Sequence, residues 1–317
     1  MMECKEKIER KALTLGFDLA GVTTAAPLSE NYRRSFQDWL NKGNAAGMEY
    51  LGRNIEKRFD PSKLLDEAKS VICVALNYKP PPNIPVGPCK IANYALYEDY
   101  HEFIKQRLFQ LADFISQSTT GKNIRFRVCV DSAPLAERLL AQRAGLGCIG
   151  KHHGLIHPTF GGQLLLGELI TTLELAADEP FEENLCGDCV RCIQSCPTGA
   201  LGGDGDFDSR KCISYLTIEE KDGIPENLAR KIGNRLFGCD ECMSACPYQA
   251  AAPGCTNKDF QIFPERNALQ AEQILDWTQE DFDRHFKGSP VERLGLERLK
   301  RNARICRENL FPSEFSP

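Results

Sequence analysis

The sequence predicts an α+β protein in which an α/β domain is followed by a two-cluster, bacterial ferredoxin-type domain and then a helical tail. Three observations predict it. Helix and strand patterns are mixed up to about residue 176, as when helices pack on a sheet. Seven of the fifteen cysteines fall in two short ligand-like motifs, within 186–196 and 239–246. Amphipathic helical spacing resumes after about residue 256. The expected divisions are 1–176, 177–255 and 256–317.

Ile8, Ala12 and Leu15 share one face of an opening helix that Gly16 ends. SVICVALNY (70–78) and IRFRVCVD (124–131) are β-branched and read as strands. The prolines of NYKPPPNIPVGP (77–88) make a loop. HEFIKQRLFQLADFISQ (101–117) aligns Phe103, Leu108, Leu111, Phe114 and Ile115 as a helix face. PLAERLLAQRAG (134–145) has proline first and glycine last, the order a helix favours. QLLLGELITTLEL (163–175) reads as a strand pair or a bent strand, and ERNALQAEQILDW (265–277) as a helix.

With 317 residues, 42% of them hydrophobic, the chain has material for about two domains. The net charge of −5 disfavours generic nucleic-acid binding. The segment 291–307 is locally basic, with Arg293, Arg298, Lys300, Arg301, Arg304 and Arg307 against Glu292 and Glu297. Spacing alone makes it a solvated helix face. No apolar run is long enough for a bilayer, and the charged start MMECKEKIERK lacks the apolar centre of a signal peptide. A cytoplasmic protein without membrane contact is expected. Fifteen cysteines in that compartment point to metal or redox chemistry.

LCGDCVRCIQSCPTGAL reads C-x2-C-x2-C-x3-C-P, a specific 4Fe–4S signal. FGCDECMSACP reads as the same motif without its first cysteine. In this arrangement the fourth cysteine of each motif starts a helix and faces the other cluster. Cys186, Cys189 and Cys192 then join Cys246, whereas Cys239 and Cys242 join Cys196 and lack a partner. Cys212 and Cys255 are the candidates. Cys212 is favoured because it lies upstream of Cys239, where the first cysteine is missing. Zinc is the competing ligand for C-x2-C pairs, but seven cysteines in two C-x3-C-P units suit it poorly. Cys4, Cys73, Cys89, Cys129, Cys148, Cys255 and Cys306 read as buried or unreactive thiols.

GLGCIGKHHG (145–154) matches a dinucleotide fingerprint and nearly matches a P-loop. His152 stands where the P-loop needs Ser or Thr, and the segment follows a helix rather than a strand. Both readings are rejected. Asp131 ends a strand just before Pro134. Spacing favours Asp131 or Ser132 as a helix cap. If Asp131 instead faces a dry pocket, desolvation raises its pKa and makes it a proton donor. Asp99-Tyr100-His101 begins the corrinoid pattern D-x-H-x-x-G, but residue 104 is Ile, so His101 reads as a helix-start residue and His152 and His153 as loop residues.

VDSAPLAERLLAQRAGLGCIGKHHGLI, LCGDCVRCIQSCPTGAL, CISYLTIEE and FGCDECMSACP together resemble the epoxyqueuosine reductase family, over essentially residues 1–255. The resemblance implies a nitroreductase-like α/β domain that binds cobalamin and two 4Fe–4S clusters. It implies reduction of epoxyqueuosine to queuosine at the tRNA wobble base, with electrons passing from an external donor through the clusters to cobalamin. Asp131 would be the proton donor, and Cys186, Cys189, Cys192, Cys196, Cys212, Cys239, Cys242 and Cys246 the cluster ligands. Cobalamin contacts would fall on Arg58, Tyr94, Asp131, Leu155, Ile156, His157, Leu166 and Ser214, with no axial histidine. Two features depart from the family: Cys148 stands where members often have Trp, and the helical-repeat module of longer members is not seen. The basic segment 293–307, with Arg230, Lys231 and Arg235, then becomes a candidate phosphate contact. A monomer is expected. The alternatives are a reductive dehalogenase, a non-catalytic electron carrier and an iron–sulfur flavoprotein.

Overall fold

The segment Ser70–Asn77 is buried at all eight positions, as a strand covered on both faces must be. It lies at the centre of the molecule in the computed structural model, which describes residues 2–119 and 123–312. The first part runs α1 (Met2–Thr14), β1 (Leu19–Thr24), α2 (Glu30–Asn41), α3 (Ile55–Phe59), β2 (Ser70–Asn77), β3 (Lys90–Ile91), α4 (Tyr100–Ser118), β4 (Phe126–Cys129), α5 (Glu137–Arg143), β5 (Cys148–Ile149), β6 (Leu155–Ile156) and β7 (Leu164–Thr171). The cysteine-rich part holds α6 (Arg191–Ser195), α7 (Ile213–Ile218), α8 (Glu226–Ile232), β8 (Arg235–Phe237), α9 (Glu241–Ser244) and α10 (Pro247–Ala251). The tail holds α11 (Ala271–Asp276), α12 (Gln279–Phe286) and α13 (Leu296–Leu310). No helix among the described residues is long and apolar enough to cross a membrane.

The main sheet has the order β1-β2-β7-β4 with every neighbour antiparallel. Alternation along β2 sends Ile72, Val74 and Leu76 to one face and Val71, Cys73 and Ala75 to the other. The first face is covered by Ile8 and Ala12 of α1 and by Ile104, Leu108 and Leu111 of α4. The second is covered by Leu140 and Ala141 of α5. The first core continues without a break into Phe237, Phe282, Phe286, Leu299 and Cys306, so one apolar body crosses residues 176 and 255. Polar contacts reinforce the join. Buried Gln249 of α10 accepts from the N–H groups of Gly162 and Gln163, at 2.9 Å each, and donates to the Gln163 side chain at 3.0 Å.

Several elements differ from expectation. The helix expected over 134–145 begins only at Glu137. The N–H of Ser132 turns back to the Val130 carbonyl at 2.5 Å and that of Leu135 to Ala133 at 2.8 Å, which curls the chain before the helix starts. Its N-cap is Ala136, without a side-chain cap bond, so neither Asp131 nor Ser132 caps it. The segment 163–175 is a single strand, β7, held straight by partners on both sides. The helix expected over 265–277 breaks into a 3-10 turn, Pro264–Ala268, and α11. The break lets Arg266 turn inward, where it donates to the carbonyls of His285, Ala95 and Tyr97. Cys196 ends α6 instead of starting a helix, whereas Cys246 is the N-cap of α10.

The basic tail is also more structural than its spacing suggests. Arg298 donates to the Leu294, Ile218 and Arg293 carbonyls, and Arg301 to those of Glu220, Asp222 and Leu216. These two arginines are therefore not a freely solvated face: they satisfy carbonyls in and just after α7. Asn302 secures the same junction through the Thr217 and Leu236 carbonyls.

Arg266 is 2% exposed and its guanidinium lies 4.0 Å from the Phe263 ring centroid. Replacing it with Ala strands three carbonyls, two in buried bonds and one in a part-buried bond, so Arg266→Ala is expected to destabilise the fold by about 2–4 kcal/mol, read as a lower urea midpoint. An unchanged midpoint would show that the tail does not depend on this residue.

Candidate functional site

Cys186, Cys189, Cys192 and Cys246 line one cavity, together with His152, Ile156, Leu185 and Tyr248. Cys246 reaches it because α10 begins beside the first motif, and the Ser195 hydroxyl donates to the Glu241 carbonyl at 3.3 Å across the two motifs. Lys151 fastens the loop: its ammonium donates to the carbonyls of Gly187 and Cys189, and its N–H points to the Cys186 sulfur at 3.4 Å. The glycine-rich segment 145–154 is thus the β5–β6 hairpin buttressing this cavity. Gly147 at φ +146° permits the hairpin, since a Cβ there would lie 2.2 Å from the Ile156 carbonyl oxygen.

The other four predicted cysteines form a second group. The Cys242 thiol senses Cys239, Cys212 and Cys196, and the Cys212 thiol senses Cys196. Burial, first, pushes Cys239 up to about 11 and Cys242 up to about 12. Cys212 is the N-cap of α7 and its sulfur faces the N–H groups of Tyr215 and Ser214. Cys255 lies elsewhere, beside Tyr97 and Asp18, with its N–H on the Lys79 carbonyl. Four bare thiolates in so buried a place would repel one another, and a cationic iron–sulfur body relieves that repulsion. A cube takes four thiolates spread around a larger body than a single ion, and each group offers four cysteines, so the donor set fits a cluster.

Asp131 lies where β4 gives way to the turn before α5, at φ +50°. A non-glycine residue there carries about 1–2 kcal/mol of strain, and such strain persists only where neighbours hold it. The Asp131 N–H donates to Glu137 Oε1 at 2.6 Å, and Asp131 Oδ2 lies 3.1 Å from His101 Nε2. The other ring nitrogen of His101 is 2.6 Å from Asp99 Oδ1. Only the imidazolium donates from both nitrogens at once. Desolvation opposes that charge, but the bonds to Asp131 and Asp99 outweigh it and lift His101 to about 9. Partial desolvation likewise works to raise Asp131, yet His101, Arg293 and Tyr100 overcome it and lower its pKa. The expected raised pKa at Asp131 is therefore replaced by a proton resting on His101, in contact with Asp131. His101 does stand at the start of α4, with Asp99 as N-cap, but its ring is part of the site.

Arg58, Tyr94 and Asp131 lie within electrostatic reach of common neighbours: Tyr50 senses Arg58 and Asp131, and Tyr94 senses Asp131 and Arg293. Tyr94 packs edge-on to Tyr100 at 6.2 Å and Tyr78 at 6.4 Å, giving an aromatic wall. Ser214 joins this neighbourhood to the second cysteine group through its N–H on Cys212, while Glu219, just after α7, acts on Tyr94. Leu155 and Leu166 share the apolar cluster of the second sheet face. Ile156 instead lines the first cysteine cavity. His157 accepts the Thr159 and Phe160 N–H groups on Nδ1, so its proton sits on Nε2. The buried Arg58 Nε and His153 Nε2 have no hydrogen-bond partner among the described residues. A polar cofactor bearing amide and phosphate groups fits such unpaired donors.

Comparison with known proteins places the site in context. The family model described as "Epoxyqueuosine reductase QueG, DUF1730" matches residues 58–132. One described as "4Fe-4S double cluster binding domain" matches 185–249, a span that includes Cys212 and excludes Cys255. The chain is 40% identical to an epoxyqueuosine reductase of Leadbetterella byssophila, over 97% of this chain and 100% of that one. It superposes on a crystal structure of epoxyqueuosine reductase with an epoxyqueuosine-modified tRNA-Tyr stem loop at TM-score 0.90 and 30% identity, covering 98% of this chain and 83% of that one. It also superposes, at TM-score 0.90 and 29% identity with the same coverage, on the Bacillus subtilis enzyme whose aspartate catalytic loop is swung out of the active site.

The raised His101 pKa has a direct thermodynamic consequence. The stability that His101 gains from its two carboxylates is fully present below its ordinary value of 6.5 and is lost as pH rises through about 9. Wild type is expected to exceed His101→Gln by up to about 3 kcal/mol at low pH, with the gap closing across that window in urea unfolding. A gap that does not change with pH would contradict the assignment.

Proposed function

This chain belongs to the epoxyqueuosine reductase family, and we propose that Asp131 and His101 supply the proton for its reaction beside a cobalamin fed by the two cysteine groups. The enzyme reduces epoxyqueuosine in tRNA and carries two 4Fe–4S clusters. The observation that carries the proposal is the hydrogen-bonded chain Asp99–His101–Asp131, in the neighbourhood of Arg58, Tyr94, Arg293 and Ser214. The Bacillus subtilis relative, whose catalytic loop is named for an aspartate, supports an aspartate on a loop in the role proposed here for Asp131.

The eight ligands are proposed as Cys186, Cys189, Cys192 and Cys246 for one cluster and Cys196, Cys212, Cys239 and Cys242 for the other, from their grouping. Arg58, Tyr94, Asp131, Leu155, His157, Leu166 and Ser214 would hold cobalamin on a nitroreductase-like domain, with Ile156 toward the first cluster. When bound, cobalamin supplies the reducing chemistry at the epoxide-bearing ring, and the clusters supply electrons one at a time. The protein's own part is to bind the base, exclude water and deliver a proton. Opening and removing the epoxide oxygen takes two electrons and two protons. His101, protonated at neutral pH, would hand its proton to Asp131 as Asp131 relays one to the departing oxygen, and the second proton would come from solvent once the pair reopens. The aromatic wall of Tyr78, Tyr94 and Tyr100 keeps water from this step.

Arg293 acts on Asp131 from outside the sheet and belongs to the site in this reading. Arg298, Arg301 and Arg235 are engaged within the protein, the last with Glu241 at 2.6 Å. Exposed Lys231 and Arg304 remain as candidate phosphate contacts. A cytoplasmic monomer accepting electrons from an external donor is the simplest reading. The parts 1–176, 177–255 and 256–317 then divide by task around a shared core. A small-molecule dehalogenase is not favoured, because the relatives act on epoxyqueuosine.

Asp131→Ala is expected to reduce turnover of epoxyqueuosine-containing stem loop by about a hundredfold or more while leaving iron content unchanged. Near-normal turnover would remove Asp131 from the chemistry. Cys212→Ala is expected to lose about half of the bound iron, whereas Cys255→Ala keeps all of it. The reverse result would reassign the eighth ligand.

A further inference from the structure

We propose that Glu137 is a positioning residue for Asp131, and that Glu168 holds Glu137 in turn through a single proton shared by their two carboxyl groups. The proposal rests on the reading of Asp131 as proton donor and deepens it. Glu137 is the first residue of α5, so its carboxylate reaches back over the turn and accepts the Asp131 N–H at 2.6 Å. This bond clamps the main chain of a residue held at φ +50°, a conformation that relaxes readily once released.

Glu168 sits in mid-strand on β7, opposite Cys73 of β2 and Cys129 of β4, and is 0% exposed. Neither of its oxygens meets an N–H or hydroxyl donor among the described residues. Its polar neighbour is the carboxyl group of Glu137. Two carboxylates side by side in a dry sheet repel each other, and one proton between them gives each a partner. Burial, then the charge of Glu137 and the bond to it, push Glu168 well up. Glu137 is raised too, by burial and then by Asp131, while the bond from Glu168 pulls it down. The proton therefore resides on Glu168, which donates to an anionic Glu137. Arg58 on α3 and Arg138 on α5 are the cations facing the pair. Tyr100, Cys73 and Cys129 also face it, and burial keeps their protons in place. As pH falls, Glu137 takes up a proton above the ordinary glutamate range, the charged acceptor is lost, and Asp131 is released.

The test uses the fully loaded enzyme with three variants. Glu168→Leu removes the proton that steadies Glu137. It is expected to lower kcat about tenfold and to move the acid limb of the pH profile up by about one unit, with KM for the stem loop unchanged. Glu168→Gln offers an amide N–H in place of that proton and is expected to restore most of the lost turnover. Glu137→Gln is expected to abolish the acid limb. Infrared difference spectra, which need no turnover, should show the C=O stretch of a buried carboxylic acid in wild type and lose it in Glu168→Gln. A wild-type pH profile in Glu168→Leu, a Glu168→Gln enzyme as slow as Glu168→Leu, or no such band in wild type would overturn the proposal. Should Glu168→Leu fail to fold, the infrared band and the Glu137→Gln profile decide. If Asp131→Ala stays active, the donor assignment fails while the band still reports on the pair.

Discussion

The gathering of sulfur ligands from two separate motifs into two groups is the constraint on which the rest of this structure depends. Eight cysteines are drawn into two groups, and burial, then neighbouring sulfurs, pushes Cys242 up within the second of them. Each group borrows one member from the other motif, Cys246 in one direction and Cys196 in the other. The two motifs are therefore held beside each other by the cysteines they exchange. The chain meets the demand with short helices, whose ends place sulfurs near main-chain N–H groups, and with Lys151 and Arg235 pinning the intervening loops.

The same rigidity serves the chemistry. Because one apolar core runs from α1 to α13, the cysteine groups do not move against the sheet as a tethered module would. Gln249 and the Arg301–Asn302 pair convert that packing into register, fixing α10 against β7 and α13 against α7. The acid site is assembled at the margin of this frame, where β4 ends and the chain takes a strained turn. Order is concentrated where electrons must pass, and strain where a proton must move.

Much of this was legible in the sequence. β2 and α4 were plain because their apolar residues follow one period over a long stretch, and the cysteine spacing named a cluster type outright. Position alone favours Cys212 over Cys255, and the structure groups Cys212 with Cys196, Cys239 and Cys242 and sets Cys255 beside Tyr97. Other features were hidden because they depend on contacts between distant segments. His101 and Asp131 are thirty residues apart and meet only when α4 crosses the end of β4. Glu168 looks like a strand's surface residue until β2 and β4 flank it and α5 covers the face it shares with Cys73 and Cys129. Arg298 and Arg301 carry the same charge as any solvated arginine, and only the carbonyls around α7 reveal their use. The false helix start at Pro134 has a local cause: two tight turns delay the helix to Glu137.

Anaerobic native mass spectrometry of the reconstituted protein tests the central claim most directly. The account predicts one dominant species, heavier than the bare chain by two 4Fe–4S units, with no form saturating at one. A species carrying zinc, or a stable single-cluster protein with the second cysteine group unfilled, would contradict it.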